Sequence, residues 1–195
     1  GKNISTIKDK VIIVMAGDHG VVAEGVSAYP QEVTPQMVLN FLAGGAAINV
    51  LARQVGARVV VVDMGVANDI DAGRGGVTPP LLIQCRVASG TMNLAQGPAM
   101  TREQAEESVQ SGIDIALAEI SKGADILGTG DMGIGNTTPS AAIACALMNA
   151  SPEKIAGRGT GVDDDGLQRK VSVIEKSLQV NMPNPKDGLD VLSKV

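Results

Sequence analysis

Two runs, KVIIVMAGDHG (Lys10 to Gly20) and ARVVVVDMGV (Ala57 to Val66), are apolar on successive residues rather than alternate ones. A strand of that kind must be covered on both faces, which is the mark of a parallel sheet. Parallel neighbours need a long crossover between them, and the segment Val33 to Gly56 carries a helical pattern of the right length. A third apolar run, Ala124 to Gly128, follows another helical pattern that opens at Thr101. The repeated strand–helix alternation predicts an α/β fold: three αβα layers around a mainly parallel, Rossmann-like sheet. At 195 residues the chain is long enough for one large domain, 1–195, with a real core.

Local signals place the other elements. Thr34 is the expected N-cap of the first crossover helix, with Pro35 at its first helical position. Met37, Phe41, Ile48 and Leu51 share a face, and Gly56 closes the helix. Gly44-Gly45 sits badly inside it, since each glycine costs about 1 kcal/mol against alanine. Either the helix breaks there or another backbone packs very close. TREQ (Thr101 to Gln104) is a capping box. On the helix it opens, Ala105, Val109, Ile113, Ala116, Leu117 and Ile120 form the expected core face, and Gly123 stops it. Asn68 to Pro80 is a loop, and Leu81 to Thr91 reads as a strand running into a turn. Ser151-Pro152-Glu153 starts a short helix. Asp163 to Asp165 sit at the start of the next, where Leu167, Val171, Ile174 and Leu178 share a face. After a turn at Asn181 to Gly188, Leu189, Leu192 and Val195 begin a further amphipathic helix. Its pattern is cut at Val195, so more protein is expected beyond it.

Composition removes several function classes. Phe41 and Tyr29 are the only aromatic residues and there is no Trp. The core must therefore be Val, Ile, Leu, Ala and Met, and no aromatic platform exists for stacking single-stranded nucleic acid. The net charge of −5 also disfavours nucleic acid, which calls for a basic face. No apolar stretch reaches the roughly 18 residues of a membrane span. GKNISTIKDK at the N-terminus is neither signal nor transit peptide, so a cytoplasmic protein is expected. Cys85 and Cys145 lack metal-ligand spacing and read as free thiols of a reducing compartment. No metal or cofactor is expected.

The chemistry-bearing segment is GDMGIGNTTPS (Gly130 to Ser140), between a strand and the apolar helix AAIACALM. Gly130, Gly133 and Gly135 let the backbone approach a ligand, and Thr137 and Thr138 carry hydroxyls. It is neither a Walker loop nor GxGxxG, and alone a structural turn would explain it equally well. GRGTG (Gly157 to Gly161) is a second such loop, with Arg158 and Lys170 nearby in sequence. Both loops would line the ligand-binding edge of a parallel sheet, which points to an anionic, phosphorylated ligand. GDHG (Gly17 to Gly20) ends on the same edge. His19, the only histidine, reads as structural before base or ligand, because no metal partner set is spaced around it. Asp18 is as suited to bonding loop N–H groups as to chemistry. Asp163 to Asp165 read as a helix-capping run before a metal site. No nucleophile elbow is present. Asp131, inside the first loop, is either catalyst or brace.

Four stretches together resemble one family: AGDHGVVAEGVSAYPQEVTPQMVLNFLAGGAAINVLA (Ala16 to Ala52), GTMNLAQGPAMT (Gly90 to Thr101), GTGDMGIGNTTPSAA (Gly128 to Ala142) and GRGTGVDDDGLQRK (Gly157 to Lys170). In order and spacing they resemble the nicotinate-nucleotide–dimethylbenzimidazole phosphoribosyltransferases of the cobalamin lower-ligand pathway. The resemblance implies transfer of phosphoribose from nicotinate mononucleotide to dimethylbenzimidazole, with inversion at the anomeric carbon. Nicotinate leaves, α-ribazole phosphate forms, and a carboxylate takes the N–H proton of the incoming base. It implies that Gly133, Ile134, Gly135, Asn136 and Thr137 hold the nucleotide phosphate and ribose, the first four through backbone amides. Gly157, Arg158, Gly159, Thr160 and Lys170 form the other half of that site. Ser27, Tyr29, Gln36 and Met37 are implied to line the aromatic-base pocket. Family members often carry glutamate where this chain has Asp131, a difference of one methylene, or about 1.5 Å of reach. The family's general-base glutamate follows a GGFE-type segment, which is expected beyond Val195. The N- and C-terminal extensions that build the family's small domain are likewise expected to lie outside residues 1–195. The chain is thus expected to be the large-domain core, weakly active or inactive alone, with Asp131 as an orienting carboxylate. The contrasting reading is a non-catalytic phosphate-binding subunit that needs a second chain. Homodimers are typical of the family. The expected partners are small molecules only, with no nucleic acid and no membrane.

Overall fold

In a computed structural model describing residues 7–70 and 82–195, the apolar runs form parallel neighbours, as their double-sided burial requires. The chain order is β1 (Lys10–Gly17), a 3-10 turn (Gly20–Glu24), α1 (Val33–Leu42), α2 (Ala47–Gln54), β2 (Ala57–Gly65), β3 (Ile83–Gln84), α3 (Arg102–Ser121), β4 (Ile126–Met132), α4 (Thr137–Met148), α5 (Pro152–Ile155), α6 (Asp164–Asn181) and α7 (Gly188–Lys194). The strands form one sheet in the order β3-β2-β1-β4, parallel throughout. Val14 and Ala16 of β1 pack with Val38, Phe41 and Leu42 of α1 on one face. Val11 and Ile13 pack with Val62 and with Ile115 of α3 on the other. The three αβα layers follow from that alternation. Beyond the sheet, α4, α6 and α7 close around Cys145, Ile174, Val191 and Val195. Cys85 and Cys145 are free thiols.

The glycine pair breaks the first crossover into α1 and α2. Gly44 takes a left-handed φ of +75°, and Asn49 holds the corner by donating to the Phe41 carbonyl at 3.1 Å. The 22-residue segment Val33–Gln54 is apolar enough on average to suit a membrane. Split at Gly44, its two helices are only about 15 and 12 Å long, against about 30 Å of hydrocarbon. Thr34 is not the N-cap: it lies inside the first turn, after Glu32, and its hydroxyl accepts from the Ile134 amide at 3.1 Å. The expected capping box is present, with Gln104 N–H donating to Thr101 Oγ1 at 3.2 Å and Thr101 N–H to Gln104 Oε1 at 2.9 Å.

The face expected for α3 is mostly turned outward. Ala105 is buried as expected, but Ile115 and Glu119 make the other buried contacts, while Val109, Ile113, Leu117 and Ile120 are exposed. Glu119 buries its carboxylate against Arg58 of β2, and Lys122 of its own helix pairs with it as well, so the polar side of α3 faces the sheet. On α6 the buried line runs through Gly166, Lys170, Val173, Ile174, Ser177 and Asn181. Leu167, Val171 and Leu178 of the expected face flank it, half-buried. On α7, Val191 and Ser193 are buried and Leu189 and Leu192 half-buried. The strand expected at Leu81 to Thr91 is only Ile83–Gln84, although Cys85 and Val87 continue to bond β2. The loop expected at Asn68 to Pro80 lies, from residue 71, outside the described residues.

Candidate functional site

Because β1, β2 and β4 are parallel, their C-terminal ends open on one edge, and the glycine loops gather there. Gly133 crosses the end of β1. A Cβ there would stand 2.1 Å from the Gly17 carbonyl oxygen and 3.0 Å from the His19 ring. Only glycine allows that approach. Gly135 has φ +84°, and a Cβ would meet Val22 at 2.8 Å. The loop is pinned from the other side by the Ile134 amide on Thr34, which carries the first turn of α1 to the site.

Not all the expected amides point to a ligand. Ile134 N–H is held by Thr34, and Asn136 N–H donates to the Gly133 carbonyl at 3.0 Å. Those two amides brace the loop. Among the described residues the Gly135 amide has no internal acceptor, so it is available to an anion. Asp131 is exposed and accepts from Asn136 Nδ2 at 2.9 Å, so its carboxylate is braced by the loop that follows it.

The second loop meets the first through Lys170. This side chain, on the second turn of α6, is 1% exposed. Its ammonium donates to Thr137 Oγ1 at the start of α4 and to the Gly157 carbonyl at 3.1 Å. No carboxylate among the described residues pairs with it. Burial alone pushes the Lys170 pKa below the ordinary lysine range. A buried ammonium with no counter-ion is unfavourable unless an anion completes it. Gly159 lies over this corner, where a Cβ would be 3.0 Å from Thr137 Oγ1 and 3.6 Å from Lys170 Nζ.

The remaining expected residues divide. Arg158 is turned away from the corner: it bonds the Val162 carbonyl at 3.0 Å and pairs with Asp164. Thr160 is exposed on the loop. Ser27 accepts from the Tyr29 amide at 3.2 Å, and Tyr29 itself is half exposed. Gln36 is exposed, and Met37 rests against the α1 core cluster. The Thr34–Ile134 bond brings the helix carrying Gln36 and Met37 to the glycine loop, whereas Tyr29 is not enclosed.

Sequence reasoning missed a cavity at the ends of β1 and β2. Met15, Met64, Met100, Asp18, His19 and Asp131 are among the residues that line it. Asp18 does bond a loop amide, that of Ala67, at 2.8 Å. Burial holds the His19 imidazole below its ordinary pKa, against the opposing pull of Asp131 and Asp18. The one available signal was that GDHG ends on the same edge as the glycine loops. No cluster of three or more metal-ligating side chains occurs among the described residues.

Comparison with known proteins agrees along the whole chain. A family described as phosphoribosyltransferase matches residues 1–195. The nicotinate-nucleotide–dimethylbenzimidazole phosphoribosyltransferase of Desulforamulus reducens is 56% identical over 192 residues, covering 96% of this chain and 52% of that protein. The same-named protein of Geobacter sulfurreducens is 56% identical over 188 residues, covering 96% and 52%. The crystal structure of CobT from Thermus thermophilus superposes with a TM-score of 0.89 at 48% identity, over 97% of this chain and 55% of that one. The chain spans about half the length of the relatives it matches.

Proposed function

The chain belongs to the phosphoribosyltransferase family, and from that membership we propose that it is the large α/β domain of an enzyme moving phosphoribose from nicotinate mononucleotide to dimethylbenzimidazole. The relatives that carry this name supply the substrate pair. The observation that carries the reading is Lys170, buried without a counter-ion where two glycine loops meet. The nucleotide phosphate would complete it, with the Gly135 amide and the Thr137 hydroxyl as further donors. The Gly157–Gly161 loop would shift to admit the phosphate. Held by its phosphate, the nucleotide presents the anomeric carbon at the edge where Asp131 stands. The bond from that carbon to the pyridinium nitrogen breaks, the incoming base nitrogen bonds to the same carbon from the opposite face, and its N–H proton passes to a carboxylate. Asp131, fixed by Asn136, orients the ribosyl centre. On this reading the proton acceptor and the small domain come from outside residues 1–195. Ser27, Tyr29, Gln36 and Met37 take the base on the α1 side.

Titration calorimetry of the 195-residue chain with nicotinate mononucleotide tests the reading. Lys170→Ala is expected to weaken binding at least tenfold, and equal affinities refute the phosphate assignment. Transfer by this chain alone is expected to be far slower than by a full-length relative. Comparable rates overturn the placement of the base outside residues 1–195. A cytoplasmic homodimer is part of the same proposal, supported by the outward apolar stripe Val109, Ile113, Leu117 and Ile120 on α3. A monomer in light scattering at micromolar concentration counts against the dimer.

A further inference from the structure

Arg158 turns away from the phosphate corner although its neighbours in the chain border it. The Gly157 carbonyl accepts from the Lys170 ammonium at 3.1 Å. On the other side, a Cβ on Gly159 would stand 3.6 Å from the same nitrogen. Arg158 is rooted between the two, and an arginine side chain reaches about 7 Å. Its guanidinium is thus within range of the corner. It donates instead to the Val162 carbonyl at 3.0 Å and pairs with Asp164 on the first turn of α6.

Charge explains that choice. Lys170 is buried and faces no carboxylate among the described residues. A second cation brought beside it meets an unbalanced positive charge with little water to screen it. Two cations share the corner only around an anion, and a phosphate monoester carries close to two negative charges at neutral pH. The outward position of Arg158 is held weakly. The guanidinium sits at the N-terminal end of α6, the end that repels cations, and Asp164 offsets this. Both side chains of the pair are largely exposed, so the pair itself contributes little. The helix does not depend on Asp164, because Asp163 caps it, accepting from the Gly166 amide at 2.8 Å. What the pair does hold is the loop. The Gly161 and Val162 amides donate to the Arg158 carbonyl at 3.0 and 3.1 Å, and the guanidinium returns to Val162, so both ends of Arg158 grip one turn.

We propose that Asp164 is a built-in competitor of the nucleotide phosphate: it holds Arg158 and the Gly157–Gly161 turn away from Lys170, and the phosphate takes Arg158 from it on binding. This regulation rests on the nucleotide reading of the corner.

The test uses the 195-residue chain and nicotinate mononucleotide in titration calorimetry. Asp164→Asn removes the competitor and should raise affinity about two- to fivefold, the size of an exposed ion pair. Arg158→Gln should lower it about tenfold. On the Arg158→Gln background, Asp164→Asn should have no effect. A gain that persists there is plain long-range electrostatics and overturns the proposal. A second variant, Asp164→Asn with Asp165→Asn, keeps the next carboxylate from taking over the guanidinium. Unchanged or weaker binding in both variants also overturns it. Hydrogen exchange supplies a readout that needs no ligand. The Gly161 and Val162 amides should exchange at least about twofold faster in Asp164→Asn, and unchanged exchange refutes the hold on the turn. Wild-type affinity in Lys170→Ala refutes the nucleotide reading itself, so the two failures are told apart.

Discussion

The Gly133–Asn136 loop is wedged into the sheet edge, whereas the Gly157–Gly161 loop lies over Lys170 with open space at both ends. In the first, added Cβ atoms meet the Gly17 carbonyl and Val22. In the second, Cβ atoms at Gly157 and Gly161 would meet nothing within 4 Å. Glycine is thus required in one loop by packing. In the other it leaves the backbone free to move around a buried charge. The first loop belongs to the scaffold as much as to the site. The second can change shape without disturbing the sheet.

The sharpest way to break this comparison is Gly133→Ala. A Cβ at 2.1 Å from a backbone oxygen cannot be relieved by a side-chain rotation. Either the end of β1 or the whole loop must move, at about 3 kcal/mol or more. For a chain of this size that lowers the melting temperature by roughly 6–12 °C. A midpoint within about 2 °C of wild type, read by circular dichroism, would show that the first loop is as free as the second.

Lys170→Met probes the second loop with the opposite sign. It removes a buried ammonium that no carboxylate balances, so stability should hold or rise, by about 1 kcal/mol. Phosphate affinity should fall about 10- to 100-fold, the size of a charge-assisted hydrogen bond. A large loss of stability with intact phosphate binding would make Lys170 a structural brace. The charge also sets a pH signature. The native pKa of Lys170 is depressed by burial, so anion affinity is full below that value. It is lost as pH rises through it, before the ordinary 10.5 is reached. Against the first loop, His19 acts at the acid end. Its native pKa lies below the ordinary 6.5, so the unfolded chain binds more protons as pH falls below 6.5. Stability therefore drops through that window and levels off once pH is below the native value. Asp18 and Asp131 oppose the shift, and His19→Asn should flatten this part of the denaturation profile.

The sheet was legible because Val11 to Ala16 are apolar without a gap, which only double-sided burial explains. The Thr101–Gln104 box was legible because its chemistry is local. The end of β4 on the ligand-binding edge was legible too, but the Gly157–Gly161 loop follows α5 rather than a strand, and Lys170 is what joins it to Thr137. What stayed hidden depends on partners far along the chain. Thr34 looks like an N-cap until Ile134, a hundred residues on, claims its hydroxyl. The outward turn of α3 goes with the burial of Glu119 against Arg58 of β2, a pairing that no helical periodicity carries. The cavity lined by Met15, Met64 and Met100 has no motif at all, because each methionine comes from a different segment and is individually ordinary.

The finest distinction lies within the second loop, between Gly159 and Gly157. Gly159 has φ +55°, a left-handed conformation that costs a β-carbon-bearing residue about 1 kcal/mol. An alanine methyl there would also press on Thr137 Oγ1 at 3.0 Å, the hydroxyl that receives the Lys170 ammonium. Gly159→Ala should therefore lower stability by about 1 kcal/mol and weaken phosphate binding. Gly157 has open space and no left-handed φ, and it contributes only its carbonyl, which alanine retains. Gly157→Ala should change stability by less than about 0.5 kcal/mol. Any gain would come from the narrowed unfolded ensemble. The rate of phosphate association should then separate two ideas of how the loop works. If the anion reaches Lys170 by a swing of the backbone at Gly157, alanine there slows binding while leaving the melting temperature unchanged. An unaltered association rate in Gly157→Ala would place the moving part at Gly159 and Gly161 instead.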